Sequence, residues 1–135
     1  MQITANHGDR PLRVLVVEDQ ALVAMVLEDI LADMGCVVVG TAASAAQALA
    51  IVAGGGVDLA LMDVDIDGPV DGVGAAAAIL EARGVRSLFV TAHVDEAFRN
   101  RAAPTRPLGF VAKPYGQADI SRAIAGARPS LPLAA

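Results

Sequence analysis

The sequence predicts an α/β protein with a five-stranded parallel sheet and helices on both of its faces. Three observations carry this expectation. Short apolar runs rich in branched residues alternate five times with alanine- and leucine-rich segments of helical period. Gly, Pro, Asp or Asn marks each change of pattern. The runs are nearly continuous in apolar residues, as strands buried on both faces require. Strands that each feed a helix pair in parallel, because right-handed crossovers return the chain to the same sheet.

The runs Leu12 to Val17, Cys36 to Val39, Leu59 to Met62, Ser87 to Val90 and Gly109 to Ala112 are the five expected strands. Between the first two, Leu22, Val23, Val26, Leu27, Ile30 and Leu31 recur at intervals of three and four, which predicts a helix from Ala21 to Met34 closed by Gly35. Ser44 caps a second helix that runs through Ala53 and stops at Gly54 to Gly56. Val73 to Arg83, with four consecutive alanines, is the third. Asp95 to Ala102 is a short fourth, cut off by Pro104 and Pro107. Gln117 to Ala127 is the fifth, ended by Pro129. This assigns residues 1–10 to a flexible tail, 11–128 to one domain and 129–135 to a second tail. Gly40-Thr41, after the second run, reads as turn chemistry.

Composition narrows the function. A chain of 135 residues that is 55% hydrophobic suits a single domain with a real core. Its net charge of −5 argues against a nucleic-acid partner. No apolar stretch is long enough to span a bilayer and residues 1–10 are not signal-like, so the expected location is cytoplasmic, with no membrane partner. Cys36 lies in an apolar run and reads as a small core residue.

In sheets of this kind ligands bind beyond the carboxyl ends of the strands, so the residues there carry the functional argument. The first strand ends in Glu18-Asp19, the third in Asp63, the fourth in Thr91 and the fifth in Lys113-Pro114. Three carboxylates at neighbouring strand ends repel one another unless a cation compensates. All-oxygen ligands with an open position suit Mg2+. Lys113 adds a compact positive charge and Thr91 a hydroxyl donor. Carboxylate nucleophile, metal, lysine and hydroxyl are together the parts needed to accept a phosphoryl group.

The motifs Val16-Val17-Glu18-Asp19, Leu61-Met62-Asp63, Val90-Thr91-Ala92 and Phe110-Val111-Ala112-Lys113-Pro114, in this order, resemble those of the CheY-like receiver domains of two-component response regulators. The resemblance covers Leu12 to Ala127 and implies the flavodoxin-like (βα)5 fold. It also implies that Asp63 accepts phosphate from a sensor histidine kinase or phosphotransfer protein. Asp19, Asp63 and the backbone carbonyl of Asp65 would hold Mg2+, with Glu18 acting directly or through water. Lys113 would pair with Asp63 or the phosphoryl group, Thr91 would bond that group, and Phe110 would be the switch aromatic. The Lys113-Pro114 peptide is expected to be cis. Asp65 and His93 match the two positions that tune the lifetime of the phosphorylated state.

Glu18 to Met25, followed by Glu28-Asp29 and by Val39 to Ala42, further resembles single-domain receivers of alphaproteobacterial type. Their fourth strand often reads Phe-Ala-Thr-Gly-Tyr, where this chain has Phe89-Val90-Thr91-Ala92-His93.

Competing patterns fit less well. Asp63-Val64-Asp65-Ile66-Asp67-Gly68 begins like a calcium-binding EF-hand loop, but its twelfth position is Gly74 where Glu is needed. The Asp-x-Asp start of haloacid-dehalogenase-like phosphatases lies near a chain's beginning, and here it is central. A Ser/His/Asp hydrolase lacks its nucleophile elbow. Asp67 and Asp71 read as loop charges. The expectation is therefore a signalling switch and not an enzyme acting on an external substrate. Pro129 to Ala135 is too short for an output domain, so output is expected through a downstream protein partner. The alternative is a phosphate sink or shuttle for a shared kinase.

Overall fold

The structure is a computed structural model that describes residues 10–66 and 68–132. The strands are β1 (Arg13–Val17), β2 (Val37–Ala42), β3 (Leu59–Asp63), β4 (Arg86–Thr91) and β5 (Gly109–Ala112). They alternate with helices α1 (Ala21–Asp33), α2 (Ala45–Ala53), α3 (Gly72–Arg83), α4 (Glu96–Ala102) and α5 (Gln117–Ala127). All pairings are parallel, in the order β2-β1-β3-β4-β5. The parallel sheet is the one expected from the alternation of elements, and the order is that of the flavodoxin-like fold implied by the resemblance.

The period of two along each strand divides the core. Leu15, Val17, Ala60, Met62 and Phe89 point to one face, where Val52 of α2, Ile79 of α3 and Phe98 of α4 cover them. Val14, Val16, Leu59, Leu61, Leu88 and Val90 point to the other, against Leu27 and Leu31 of α1 and Ile120 and Ile124 of α5. Each of these strand side chains is at most 2% exposed. At roughly 1.5–3 kcal/mol for each large buried side chain, these two layers supply most of the drive to fold.

Local chemistry sets the helix limits. The Ser44 side chain accepts from the N–H of Gln47, and Asp71 and Asp95 do the same for Gly74 and Phe98. Gly35 and Gly84 take the positive φ that closes α1 and α3. Beyond α4 the chain makes one 3-10 turn at Ala103–Thr105, and beyond α5 another at Arg128–Ser130. Each places a proline in its first turn, where no N–H is required.

Gly40-Thr41 differs from its reading as a turn. Both residues lie inside β2, paired with Leu15 and Val16 after a register shift past Val39. Thr41 Oγ1 donates to Glu28 of α1 at 2.6 Å. A Cβ on Gly40 would stand 3.0 Å from Ile51 Cδ1, so this glycine allows α2 to lie close on the edge strand.

Of the expected tails, residues 1–9 and 133–135 lie outside the described residues, as does Asp67, whereas Pro129 and Ser130 lie in the 3-10 turn that follows α5. Arg10 forms an ion pair with Asp58 at 2.8 Å, and its carbonyl accepts from Arg128. The two ends of the domain therefore meet at the amino-terminal edge of the sheet. Among the described residues no helix is long and apolar enough to cross a membrane.

Candidate functional site

The sheet order changes direction at β1, which has β2 on one side and β3 on the other, and the crevice this opens holds the candidate site. Pairing of Val17 with Met62 sets Glu18 and Asp63 side by side, one residue beyond the register. The Glu18 N–H donates to the carbonyl of Ala42 at 2.8 Å, which fixes the end of β1. Glu18 and Asp63 are each only 4% exposed. Carboxylate oxygens of Glu18, Asp19 and Asp63 all lie within 4.8 Å of one another.

Lys113 arrives from the end of β5. Its backbone N–H donates to the carbonyl of Thr91 at 2.9 Å, and its Nζ donates to Asp63 Oδ1 at 2.9 Å. The N–H of Asp65 reaches the same oxygen at 3.2 Å. The Lys113-Pro114 peptide is cis. Thr91 is buried at the end of β4, and its Oγ1 accepts from the N–H of His93 at 3.2 Å. Asp65 and His93 are exposed, and with Thr91, Val64, Phe98 and Arg101 they line a cavity of about 310 Å³.

The electrostatics follow from crowding. Burial pushes the Glu18 carboxyl up to about 7; the N–H of Gln20 works against this, and the neighbouring Asp63 charge adds to it. Burial disfavours the Lys113 ammonium, but its bond and attraction to Asp63 outweigh that cost and raise its pKa. Three acids thus face one cation, a charge excess that a hard divalent ion would relieve, and every donor in the set is oxygen. The residues present fit Mg2+.

Phe110 is half-buried and belongs to a cluster of all three phenylalanines. Its ring is 6.0 Å from that of Phe89 and 5.7 Å from that of Phe98, with the Arg99 guanidinium 4.7 Å from its centre.

Three residues around the site have partners or approaches that sequence reasoning did not assign to them. Asp71 is the cap of α3, and its other oxygen pairs with Arg101 of α4 at 2.8 Å. Its position one residue before the helical Gly-Val-Gly-Ala run was the available signal. Gly72 donates to the carbonyl of Val64 at 2.9 Å and lies directly against the backbone of Asp63. Nothing local in the sequence marks that approach. Tyr115, the single tyrosine, is half-buried beside Glu18 and Lys113, and its place directly after Lys113-Pro114 could have drawn attention.

Comparison with known proteins decides the family. The response regulator receiver domain family matches residues 14–125. The chain belongs to this family. The receiver domain is 32% identical over 114 residues to the transcriptional regulatory protein PdtaR of Mycobacterium tuberculosis, covering 84% of this chain and 55% of that protein. It is 30% identical over 121 residues to the phyllosphere-induced regulator PhyR of Methylorubrum extorquens, covering 89% and 45%. The chain therefore spans about half the length of these curated relatives. Among solved structures, the signal receiver domain of a modulated diguanylate cyclase from Desulfovibrio desulfuricans superposes with a TM-score of 0.80 at 30% identity, over 89% of this chain and 95% of that one. Receiver domains are signalling switches that bind Mg2+ at an acidic pocket, and Glu18, Asp19 and Asp63 form such a pocket here.

Proposed function

We propose that this receiver domain accepts a phosphoryl group on Asp63 from a histidine kinase or phosphotransfer protein in the cytoplasm and signals through contacts with a downstream protein. The observation that carries this reading is the convergence of Glu18, Asp19, Asp63 and Lys113 at the β1/β3 crevice. Asp63 is the nucleophile. Asp19, Asp63 and the carbonyl of Asp65 would hold Mg2+, with Glu18 as a direct or water-mediated ligand. When bound, the ion would neutralise charge on the transferring oxygens.

The chain's own residues do the rest. Lys113 is already within hydrogen-bond distance of Asp63 and moves to a phosphoryl oxygen once that oxygen is present. The Thr91 hydroxyl turns from the His93 N–H side toward the same group. Removing Thr91 from its resting position leaves room beside the Phe89–Phe98–Phe110 cluster, and Phe110 rotates inward as the output switch.

Incubation with acetyl phosphate tests the reading. Wild type is expected to gain one phosphoryl group only when Mg2+ is present, and Asp63→Asn is expected to gain none. Equal uptake by the variant excludes Asp63 as acceptor.

His93 and Asp65 line the cavity through which water would reach the phosphorylated aspartate. Truncation at His93 removes part of that barrier, so His93→Ala is expected to shorten the phosphorylated half-life several-fold. Following decay after removal of the donor checks this, and equal half-lives would remove His93 from a tuning role.

A further inference from the structure

The fold sorts its charges between the two rims of the sheet. Beyond the carboxyl ends of the strands lie Glu18, Asp19, Asp63, Asp65, Asp71 and Asp95. At the opposite, amino-terminal rim lie six of the ten Lys and Arg residues: Arg10 and Arg13 at the start of β1, Arg83 at the end of α3, Arg86 at the start of β4, Arg106 before β5 and Arg128 after α5. The acids at this end are Asp33, Asp58 and Glu81. Among the described residues, only Asp58 forms an ion pair with one of the six, Arg10. The net charge of −5 therefore hides a basic surface.

Backbone bonds hold these guanidinium groups against the loops and leave part of each fork open. Arg13 Nε donates to the carbonyl of Gly56 at 2.6 Å, Arg83 to that of Ala53, and Arg86 Nε to that of Arg106 at 2.7 Å. Burial and the neighbouring Arg106 charge both lower the Arg86 pKa, as like charges crowded together require. Beside the rim, Leu12, Met34, Cys36 and Ile124 wall a cavity of about 270 Å³ that Arg128 also lines. Arg128 donates to the carbonyl of Arg10, which makes cavity and rim continuous, and its Nη1 is buried without a hydrogen-bond partner.

From this arrangement we infer that the amino-terminal rim docks an acidic segment of a partner protein, with one apolar side chain of that segment seated in the cavity beside Arg128. A guanidinium fork takes a carboxylate through two parallel N–H bonds, and the open forks here have no carboxylate of their own. Arg13 and Arg86 start strands separated by β3, so their backbones stand roughly 10 Å apart, about the span of three residues in an extended segment. A long polyanion or an anionic membrane would also meet the acids elsewhere on this chain, whereas a short segment meets the rim alone. Of the exposed large hydrophobic residues only Val37 lies at this rim, too little to insert into a bilayer. The rim is at the opposite end of the sheet from Asp63, so this surface does not depend on the acceptor role proposed for that residue.

The test measures binding of a fluorescent peptide, glutamates flanking one leucine, by anisotropy at about 0.1 M salt, where charges further than about 10 Å away are screened. Arg13→Gln/Arg83→Gln/Arg106→Gln is expected to weaken binding about tenfold, the sum of three exposed ion pairs. Arg99→Gln/Arg101→Gln/Arg122→Gln removes the same charge from α4 and α5 and is expected to change affinity by less than about twofold. A peptide with serine in place of leucine is expected to bind several-fold more weakly, through loss of the buried anchor. No binding by wild type, equal binding of the serine peptide, or an equal loss in both triple variants overturns the inference. So does tighter binding to phosphatidylserine vesicles or to a DNA duplex than to the peptide, which would assign the rim to another class of partner. Self-association that the rim variant abolishes would assign it to a second copy and overturn the inference as well. The three substituted rim arginines are exposed; should that variant fail to fold, Arg83→Gln/Arg106→Gln against Arg99→Gln/Arg122→Gln makes the same comparison.

Discussion

Replacing Gly72 by alanine is expected to destabilise the domain by about 3 kcal/mol, at the upper end for overpacking a well-filled site. A Cβ at this position would overlap the carbonyl oxygen of Asp63 and stand 2.6 Å from Val64 Cα. Both are backbone atoms that cannot swing aside as a side chain would. Gly72 also donates to the carbonyl of Val64 at 2.9 Å, so any outward shift of α3 to relieve the overlap breaks that bond. The damage falls at the end of β3, and phosphate uptake should decline along with stability. The same change at Gly126 provides a control of opposite sign. That glycine is exposed within α5, a Cβ there meets nothing within 4 Å, and Gly126→Ala is expected to stabilise by about 0.5 kcal/mol through a less flexible unfolded chain. Urea unfolding of the two variants beside wild type checks both signs. Equal small effects would mean that α3 does not approach Asp63 as closely as described.

A second large effect concerns pH. Burial and the Asp63 charge raise the Glu18 carboxyl from 4.5 to about 7, which corresponds to about 3 kcal/mol. Because the folded value lies above the unfolded one, folded Glu18 holds its proton after the unfolded chain has released it. Its contribution to stability is therefore fully present below about pH 4.5 and is lost as pH rises through about 7. Asp71 acts in the opposite sense. Burial disfavours its charge, but the Gly74 N–H and Arg101 outweigh this and hold its pKa low, so the stability it supplies is lost on acidification.

The difference between wild type and Glu18→Gln isolates the first group. Without divalent cations, the stability of wild type relative to the variant is expected to fall by about 3 kcal/mol between about pH 4.5 and about pH 7. Mg2+ favours the ionised acids and should offset the loss, adding about 2.7 kcal/mol at a hundred times its dissociation constant. Its affinity should weaken below about pH 7 as Glu18 takes up a proton. A flat difference curve would show that burial and Asp63 together do not raise the Glu18 carboxyl.

The framework of this fold was legible because each strand is a short, nearly unbroken apolar run and each helix carries its own stop signal. Gln117 to Ala127 matches α5 at both ends, and Ser44, Asp95 and Gly35 act as the caps their types suggest. The placement of Glu18, Asp19, Asp63 and Lys113 was legible from a fold rule: parallel strands bring their carboxyl ends to one rim, however far apart the residues lie in sequence. Where reading failed, distant partners decided the outcome. Gly40-Thr41 has the composition of a turn, yet pairing with Leu15 and Val16 keeps it in the sheet. Asp71 does lie outside α3, as a loop charge would, but the sequence could not show that its partner Arg101 lies thirty residues on and in another helix. Gly72 and Tyr115 matter through close approaches that only the folded chain reveals, one to the backbone of Asp63 and the other to Glu18 and Lys113.

The most direct measurement is to identify the carboxylate that becomes phosphorylated. The protein would be treated with acetyl phosphate and Mg2+, the acyl phosphate reduced with borohydride, and the reduced residue located by peptide mass spectrometry. Reduction at Asp63 alone is predicted, because Lys113 and the Asp65 N–H already converge on its carboxylate. Reduction at Glu18, Asp19 or any other acid, with Asp63 untouched, would contradict the account.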